Sequence, residues 1–214
     1  MPPIKVLALI SGGLDSPVAA YMVGRSGVKL EAAYFNCHPY MPESEIERVK
    51  KVCLKLAEKV DLERLHLIPH GENLRLLIEK ADRKFTCILC KRLMLKISSQ
   101  LALKQGFQAL VTGDSLGQVA SQTVANLKVE DEASSIPVLR PLLGLNKEEI
   151  ASQAREIGTY QISTANPAAC RAAPRKPATK AKLEQVKAVE EKLPLNEMVA
   201  KALAERRIFN LGRL

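Results

Sequence analysis

Five short apolar runs, each leading into or out of a stretch with helical spacing, constrain this chain more than any other feature. Ile4 to Ile10 is apolar but for Lys5, and a glycine turn then opens "SPVAAYMVGRSG", whose spacing and closing glycine suit a helix. "VKLEAAYFN" reads as a second strand. It is followed by "ESEIERVKKVCLKLAEKV", with Ile46, Val49, Cys53, Leu56 and Val60 at helical spacing. "RLHLIP", "QALVTG" and "IPVLRPLL" complete the strands, with helices predicted over "NLRLLIEKA" and "RLMLKISSQLALKQG" and from Asn146 onward. Strands alternating with helices predict an α/β fold, a mostly parallel sheet covered on both faces in three layers. Such sheets bind ligands outside the carboxyl ends of their strands, where the strand order reverses. Loops 11–16, 113–122 and 141–147 are therefore the candidate site.

After Gly158 the texture changes. "TYQISTANPAACRAAPRKPATK" reads as a proline-rich loop that is no ordinary helix, and "KLEQVKAVEEKL" and "LNEMVAKALAERR" read as two closing helices. We expect residues 1–158 to form the main domain and residues 159–214 a small helical carboxyl-terminal extension packed on it. The net charge is +9, and from Arg171 to Leu214 eleven Lys and Arg face five Asp and Glu. A phosphate-rich partner and a solvated basic face both fit that excess. Aromatic residues make up only 4%, which argues against a stacking platform for single-stranded bases. No run approaches the roughly 18 apolar residues of a membrane span, and the amino terminus lacks the regions of a leader. A cytoplasmic protein without a membrane partner is expected. Its five cysteines, an odd number in such a chain, point to metal binding or catalysis before disulfides.

The glycine turn is Ser11-Gly-Gly-Leu-Asp-Ser16. A loop at a strand end that opens a helix points backbone N–H groups at a phosphate, and glycines let the anion approach. There is no Gly-Lys-Ser/Thr and no Gly-x-Gly-x-x-Gly at this position. The pattern instead resembles the PP-loop of the ATP pyrophosphatases, adenine nucleotide alpha hydrolase-like proteins of Rossmann-like fold. That resemblance implies ATP, cleaved between its α and β phosphates, with Ser11, Gly12, Gly13 and Ser16 around the pyrophosphate. Asp15 then helps to place Mg2+, because a carboxylate does not attract phosphate without an intervening cation.

The stretch Thr112-Gly-Asp-Ser-Leu-Gly-Gln-Val-Ala-Ser-Gln122, with "RPLLGLNKEEI" and "CILCKRLM", narrows the class. Together they resemble the catalytic domain of the tRNA 4-thiouridine synthases, a family also linked to sulfur transfer for thiamine biosynthesis, from about residue 4 to about residue 190. The resemblance implies that O4 of the uridine at position 8 of tRNA is adenylated and that sulfur then displaces AMP. It places Gly113, Asp114, Ser115, Gln118 and Ser121 on the adenine, ribose or uracil side. Lys147 matches the family's essential lysine, a cation able to offset charge on the reacting phosphate.

Cys87 and Cys90 form a Cys-x-x-Cys just before a predicted helix, able to share one metal or cluster. With no second such pair, a four-cysteine zinc knuckle is not written in the chain. Cys170 lies in the loop "NPAACRAAP". The archaeal members that this chain resembles hold a 4Fe-4S cluster with a Cys-x-x-Cys and this loop cysteine. Three ligands leave one iron free to carry sulfide. Zinc, a persulfide on Cys170 and a structural role remain open. Cys53 reads as core and Cys37 as structural or substrate-proximal, while His66 and His70 form no ligand pair by spacing.

Most members place a THUMP domain ahead of this one, and bacterial ones add a rhodanese domain. Here the first strand begins at residue 4. Grip on tRNA is expected from a separate THUMP-like protein or from a homodimer using Arg171, Arg175, Lys176, Lys180 and Lys182, and sulfur from sulfide or a donor protein. Competing readings are a sulfurtransferase for another thiolated tRNA base or a thiamine-pathway carrier, and a non-catalytic nucleotide-binding subunit.

Overall fold

The structure is a computed structural model that describes residues 3–117 and 122–212. Its elements in chain order are β1 (Lys5–Leu9), α1 (Asp15–Gly24), β2 (Lys29–Asn36), α2 (Ser44–Ala57), β3 (Leu62–Pro69), α3 (Gly71–Lys80), α4 (Thr86–Gln105) and β4 (Ala109–Val111). They continue as α5 (Val124–Asp131), β5 (Val138–Leu139), α6 (Lys147–Glu156), α7 (Tyr160–Thr164), α8 (Leu183–Glu190), α9 (Leu195–Ala204) and β6 (Arg207–Asn210). Among the described residues the strands form one sheet in the order β5-β4-β1-β2-β3-β6. β1 pairs in parallel with both β2 and β4, so that Leu7 stands opposite Glu31 on one side and Leu110 on the other. β6 runs antiparallel along the outer edge of β3, with Leu65 opposite Phe209.

The predicted three-layer α/β arrangement is what the chain adopts. A strand covered on both faces has no solvent side, which explains the apolar runs. Leu7, Ala33, Phe35, Ile68 and Leu110 pack with Leu77, Leu93, Val129, Val186 and Met198 on one face. Val6, Ala8, Ala32, Leu65 and Val111 pack with Val18, Val52 and Ile150 on the other. The chain builds outward from β1 through β2 to β3, then returns to lay β4 on the opposite side of β1. That reversal opens a crevice between the carboxyl ends of β1 and β4. Among the described residues no helix is long and apolar enough to cross a membrane.

Several boundaries differ from the sequence expectation, each for a local reason. Helix α4 begins at Thr86, so Cys87 and Cys90 lie in its opening turns and not before it. A 3-10 turn at Arg83–Phe85, in which Asp82 Oδ1 accepts from Lys84 N at 3.1 Å, feeds straight into it. Its end is as expected, at Gly106, whose φ of 76° is left-handed. Helix α5 was not anticipated, since its eight residues show no clear period; Thr123 Oγ1 caps it by accepting from Asn126 N at 3.2 Å. Tyr160–Thr164 forms a short helix inside the stretch read as loop, ahead of Pro167. The closing helix stops at Ala204, and Arg207–Asn210 becomes an edge strand because β3 offers an unpaired backbone row there.

The last quarter of the chain is tied down by buried polar groups. Arg92 of α4 is fully buried and forks onto Glu190 of α8, donating from Nε to Oε1 at 2.8 Å and from Nη2 to Oε2 at 2.7 Å. It also donates to the Val129 carbonyl of α5 and to Glu132 Oε2 at 3.0 Å. Asn126 donates from Nδ2 to the Ala178 carbonyl at 2.8 Å and accepts from Ala181 N at 3.0 Å.

Removing one partner of a buried ion pair leaves the other charge stranded. Arg92→Ala is therefore expected to cost about 3–5 kcal/mol of stability in urea denaturation. A loss below about 1 kcal/mol would show that Glu190 is neutral or solvated. At the crevice, a Cβ on Gly113 would lie 2.5 Å from Ser16 N and 2.6 Å from its Cα, a clash with backbone on both atoms. Gly113→Ala is expected to destabilise by about 1–3 kcal/mol in the same measurement; an unchanged midpoint would mean the two loops separate freely.

Candidate active site

The Ser11–Ser16 loop is closed on itself. Ser16 Oγ accepts from Ser11 N at 2.8 Å, Ser11 Oγ lies 3.1 Å from Ser16 Oγ, and Gly13 N donates to Ser11 Oγ at 3.3 Å. Ser163 Oγ of α7 donates to the Gly13 carbonyl at 3.2 Å. α1 starts at Asp15, so its free N–H groups and positive dipole end face the loop. A cavity of about 370 Å³ lies before it, bounded by this loop, Tyr34 and Phe35 of β2, Gly113 and Asp114 after β4, and Lys91 and Glu130 from α4 and α5. That volume suits a small-molecule site.

Four charged groups meet at its edge, where Lys91, Asp114 and Glu130 line the cavity and Arg140 stands behind Asp114. Asp114 accepts from Lys91 Nζ at 2.7 Å, Thr112 Oγ1 at 2.8 Å, Arg140 Nε at 3.1 Å and Gln122 Nε2 at 3.5 Å. Burial alone would raise the Asp114 pKa, but Lys91, Thr112 and Arg140 outweigh it and hold the carboxyl below the usual range. Burial works against the charge of Lys91, yet Asp114 and Glu130 keep its pKa above normal. Lys91 Nζ lies 3.5 Å from Glu130 Oε2. Glu130 has less help, and burial pushes it up to about 7.

Asp15 is pushed above the ordinary carboxylate range by burial and by Asp114, and Lys147 pulls it back. Two carboxylates facing one cavity, one of them raised by the other, fit a divalent cation that also takes phosphate oxygens. Lys147 is the exposed first residue of α6. A capping box places it: Asn146 Oδ1 accepts from Glu149 N at 3.0 Å, and Glu149 Oε2 accepts from Asn146 N at 2.7 Å. Its charge reaches Asp15, although the side chain is not part of the cavity wall.

Four thiols gather next to the cavity, and Cys37 lines it. Burial raises the Cys90 pKa, and the charges of Cys37, Cys170 and Cys87 raise it further. Burial and Cys170 raise Cys87, while Cys37 is pushed up to about 12 by burial and by Cys170. The three cysteines singled out in the sequence are thus neighbours, and Cys37, for which no partner was recognised, joins them. Among the described residues no three His, Cys, Asp or Glu side chains converge tightly enough to hold a metal. The donors nonetheless fit a thiophilic metal in kind, since soft ligands sit where each opposes the ionisation of the next and a cation would reverse that. His70 is fully buried and kept neutral, its pKa lowered to about 4 by burial. Asn73 Nδ2 lies 3.4 Å from its Nδ1, which assigns the proton to Nε2, 3.3 Å from Cys90 Sγ.

Other site residues separate. Ser115 is fully buried outside the cavity wall, and Gln118 and Ser121 lie outside the described residues. Arg171, Arg175 and Lys176 line a hollow of about 650 Å³ with Arg83 and Lys84, where Asp82 is the one acid among the lining residues. Lys180 and Lys182 are not part of it. Sequence reasoning missed Lys91, Arg140, His70 and Glu130. Lys91 directly follows Cys90 in a motif already quoted, whereas Glu130 lies in a helix whose pattern gave no signal.

The comparisons with known proteins agree with this geometry. The chain is 41% identical over 209 residues to a protein of Methanosarcina mazei named probable tRNA sulfurtransferase, covering 97% of this chain and 52% of that one. It is 43% identical over 207 residues to a Thermus thermophilus protein of the same name, covering 96% and 51%. The chain thus spans about half the length of the curated relatives it matches. Among solved structures, a 4-thiouridine synthetase in complex with RNA and ATP superposes with a TM-score of 0.92 at 33% identity, covering 97% of this chain and 55% of that one. Residues 3–195 match the family described as Thiamine biosynthesis protein (ThiI), and the chain belongs to that family.

Proposed function

We propose that this chain catalyses ATP-dependent thiolation of tRNA, converting the uridine at position 8 into 4-thiouridine. The observation that carries the reading is one cavity lined by both the Ser11–Ser16 loop and Cys37, the latter one of a group of four neighbouring thiols. Adenylation and sulfur transfer need both within reach of one base. The names of the curated relatives and the RNA and ATP of the similar synthetase support it.

In this reading the N–H groups of the Ser11–Ser16 loop and of the start of α1 hold the phosphates of ATP. Asp15 would hold Mg2+, which supplies charge neutralisation for the phosphates when bound. O4 of uridine attacks the α-phosphorus and pyrophosphate leaves. Lys147 offsets the charge that builds there. This turns a poor leaving oxygen into a phosphate ester, so that a sulfur nucleophile at C4 expels AMP. Cys87, Cys90 and Cys170 would hold a 4Fe-4S cluster, or zinc in its place, a thiophilic centre for carrying sulfide. His70 Nε2 donates toward the sulfur of Cys90 and steadies it.

The hollow lined by Arg83, Lys84, Arg171, Arg175 and Lys176 adjoins Cys170 in the chain, and there phosphate contacts would position RNA without reading its sequence. We assign the remaining grip to a separate THUMP-like protein or a second copy of the chain, sulfur to sulfide or a donor protein, and the setting to the cytoplasm. Residues 1–158 then form the PP-loop domain and residues 159–214 the extension that brings Cys170 to it.

Two variants separate the half-reactions. Asp15→Ala is expected to abolish tRNA-dependent pyrophosphate release, and normal release would remove Asp15 from the mechanism. Cys170→Ala is expected to keep pyrophosphate release yet yield no 4-thiouridine when the tRNA is digested and its nucleosides are weighed by mass spectrometry. Full thiolation by that variant would sink sulfur delivery through Cys170, and a different thio-nucleoside in the wild-type product would move the target base.

A further inference from the structure

Adenylating a uridine at O4 creates a proton that must go somewhere. The base enters with hydrogen on N3. Once O4 is bonded to phosphorus, the C4–O4 bond is single and C4–N3 is double, so N3 has to shed its proton or carry a positive charge. A proton acceptor near N3 is therefore part of the chemistry, and none of the groups around the phosphates supplies one.

The cavity contains such a group on the wall away from the phosphate loop. Glu130 of α5 lines it, is 1% exposed, and has a buried Oε1 without a hydrogen-bond partner among the described residues, while Oε2 faces Lys91 Nζ at 3.5 Å. A buried oxygen with no donor is costly unless a bound molecule provides one. The other carboxyls of the cavity are committed elsewhere. Asp114 accepts from four donors, and Asp15 stands at the phosphate loop. Glu45 Oε1 likewise makes no hydrogen bond among the described residues, but this carboxylate stands 3.3 Å from the Arg48 guanidinium and beneath Gly12, on the phosphate-loop side. Ile10, Tyr34 and Phe35 give the β1–β2 side of the cavity an apolar surface suited to adenine. The side formed by Lys91, Met94 and Glu130 is then left for a second base. It is also the side that Cys87 shares, because Cys87, Lys91 and Met94 recur at i, i+4 and i+7 along α4.

We propose that Glu130 is a catalytic residue: its carboxylate accepts the N3–H of the target uracil, selects uracil against cytosine, and takes the N3 proton as O4 bonds to the α-phosphorus. The inference rests on the adenylation of uridine proposed above. In the first step the O4–P bond forms, the bond from the α-phosphorus to the bridging oxygen breaks, pyrophosphate leaves with the electron pair, and the proton moves from N3 to Glu130. In the second, sulfide sulfur bonds to C4 and loses its own proton to water, the C4–O4 bond breaks, AMP leaves with O4, and Glu130 returns its proton to N3. Cytosine has no hydrogen on N3 and would set a lone pair against the carboxylate. Lys91 is a positioning residue, held by Asp114 and lying 3.5 Å from Oε2 in turn, so that Oε1 is the oxygen left to take a donor from a bound base.

The charged and titratable groups facing Glu130 are Lys91 from α4, Asp114 after β4 and Arg140 after β5, and the Cys87 thiol also feels its charge. Burial raises the carboxyl most and Asp114 adds to that, while Lys91 and Arg140 oppose. A base that is half ionised near neutral pH is well matched to proton transfer there.

The test is single-turnover pyrophosphate release with saturating ATP and unmodified tRNA, followed from pH 5.5 to 9, beside ATP binding and circular dichroism. The wild-type rate is expected to rise with pH through an inflection near neutrality. Glu130→Gln is expected to lower it about 100-fold or more and to remove the inflection, with ATP affinity and dichroism unchanged. Lys91→Met is expected to move the inflection to higher pH. Wild-type rate and pH profile in Glu130→Gln would overturn the assignment and leave adenylation standing. If wild type itself releases no pyrophosphate on addition of tRNA, the adenylation reading fails and this assignment with it. Should Glu130→Gln not fold, Glu130→Asp decides: a slowed rate with the inflection kept supports the assignment, and a wild-type rate overturns it.

Discussion

The ion pair between Lys91 and Asp114 holds the two halves of the site in one frame. Asp114 follows β4, beside the phosphate loop, and Lys91 stands on α4 one residue after Cys90. At 2.7 Å, and with Thr112 and Arg140 on the second oxygen of Asp114, the pair is part of a largely buried network in which Asp114 is fully partnered, and not an exposed salt bridge. Such networks cost desolvation, and they are worth having where geometry matters more than stability. Here the geometry is the separation between the Ser11–Ser16 loop and the thiols.

Burial divides the acids around the cavity into different roles. Asp114 is saturated with donors and stays ionised, Asp15 is raised by burial and by Asp114, and Glu130 is pushed up to about 7. Carboxyls whose proton affinities are driven apart by their surroundings can act as structural anchor, cation ligand and proton acceptor within one cavity. The same low polarity keeps His70 neutral and the thiols of Cys37 and Cys90 protonated until a cation or reaction partner compensates them.

The carboxyl-terminal segment is more than an appendage to the sheet. Arg92 and Asn126 anchor it through side chains, Ser163 reaches back to the phosphate loop, and Arg171 N donates to the Tyr40 carbonyl at 2.9 Å in the turn that follows Cys37. These bonds carry the loop of Cys170 over the thiols of α4, so the final third of the chain completes a site begun by the first.

The sequence by itself determined the architecture and the chemical class. Apolar runs demand a sheet covered on both faces, and the glycine turn Ser11–Ser16 closes β1 and opens the first helix, because periodicity and glycine placement are local properties. The helix at Asn146 was equally legible from its capping residues. Helix α5 and strand β6 were not, since short elements owe their state to partners far along the chain: α5 to Arg92 and Ala178, β6 to the edge of β3. The cavity wall was hidden for the same reason. No spacing rule links residues 91, 114, 130 and 140, or residues 37, 87, 90 and 170. Only the tertiary structure decided that these side chains meet, because the return of β4 to the side of β1 and the anchoring of the last segment bring distant residues into one low-dielectric space.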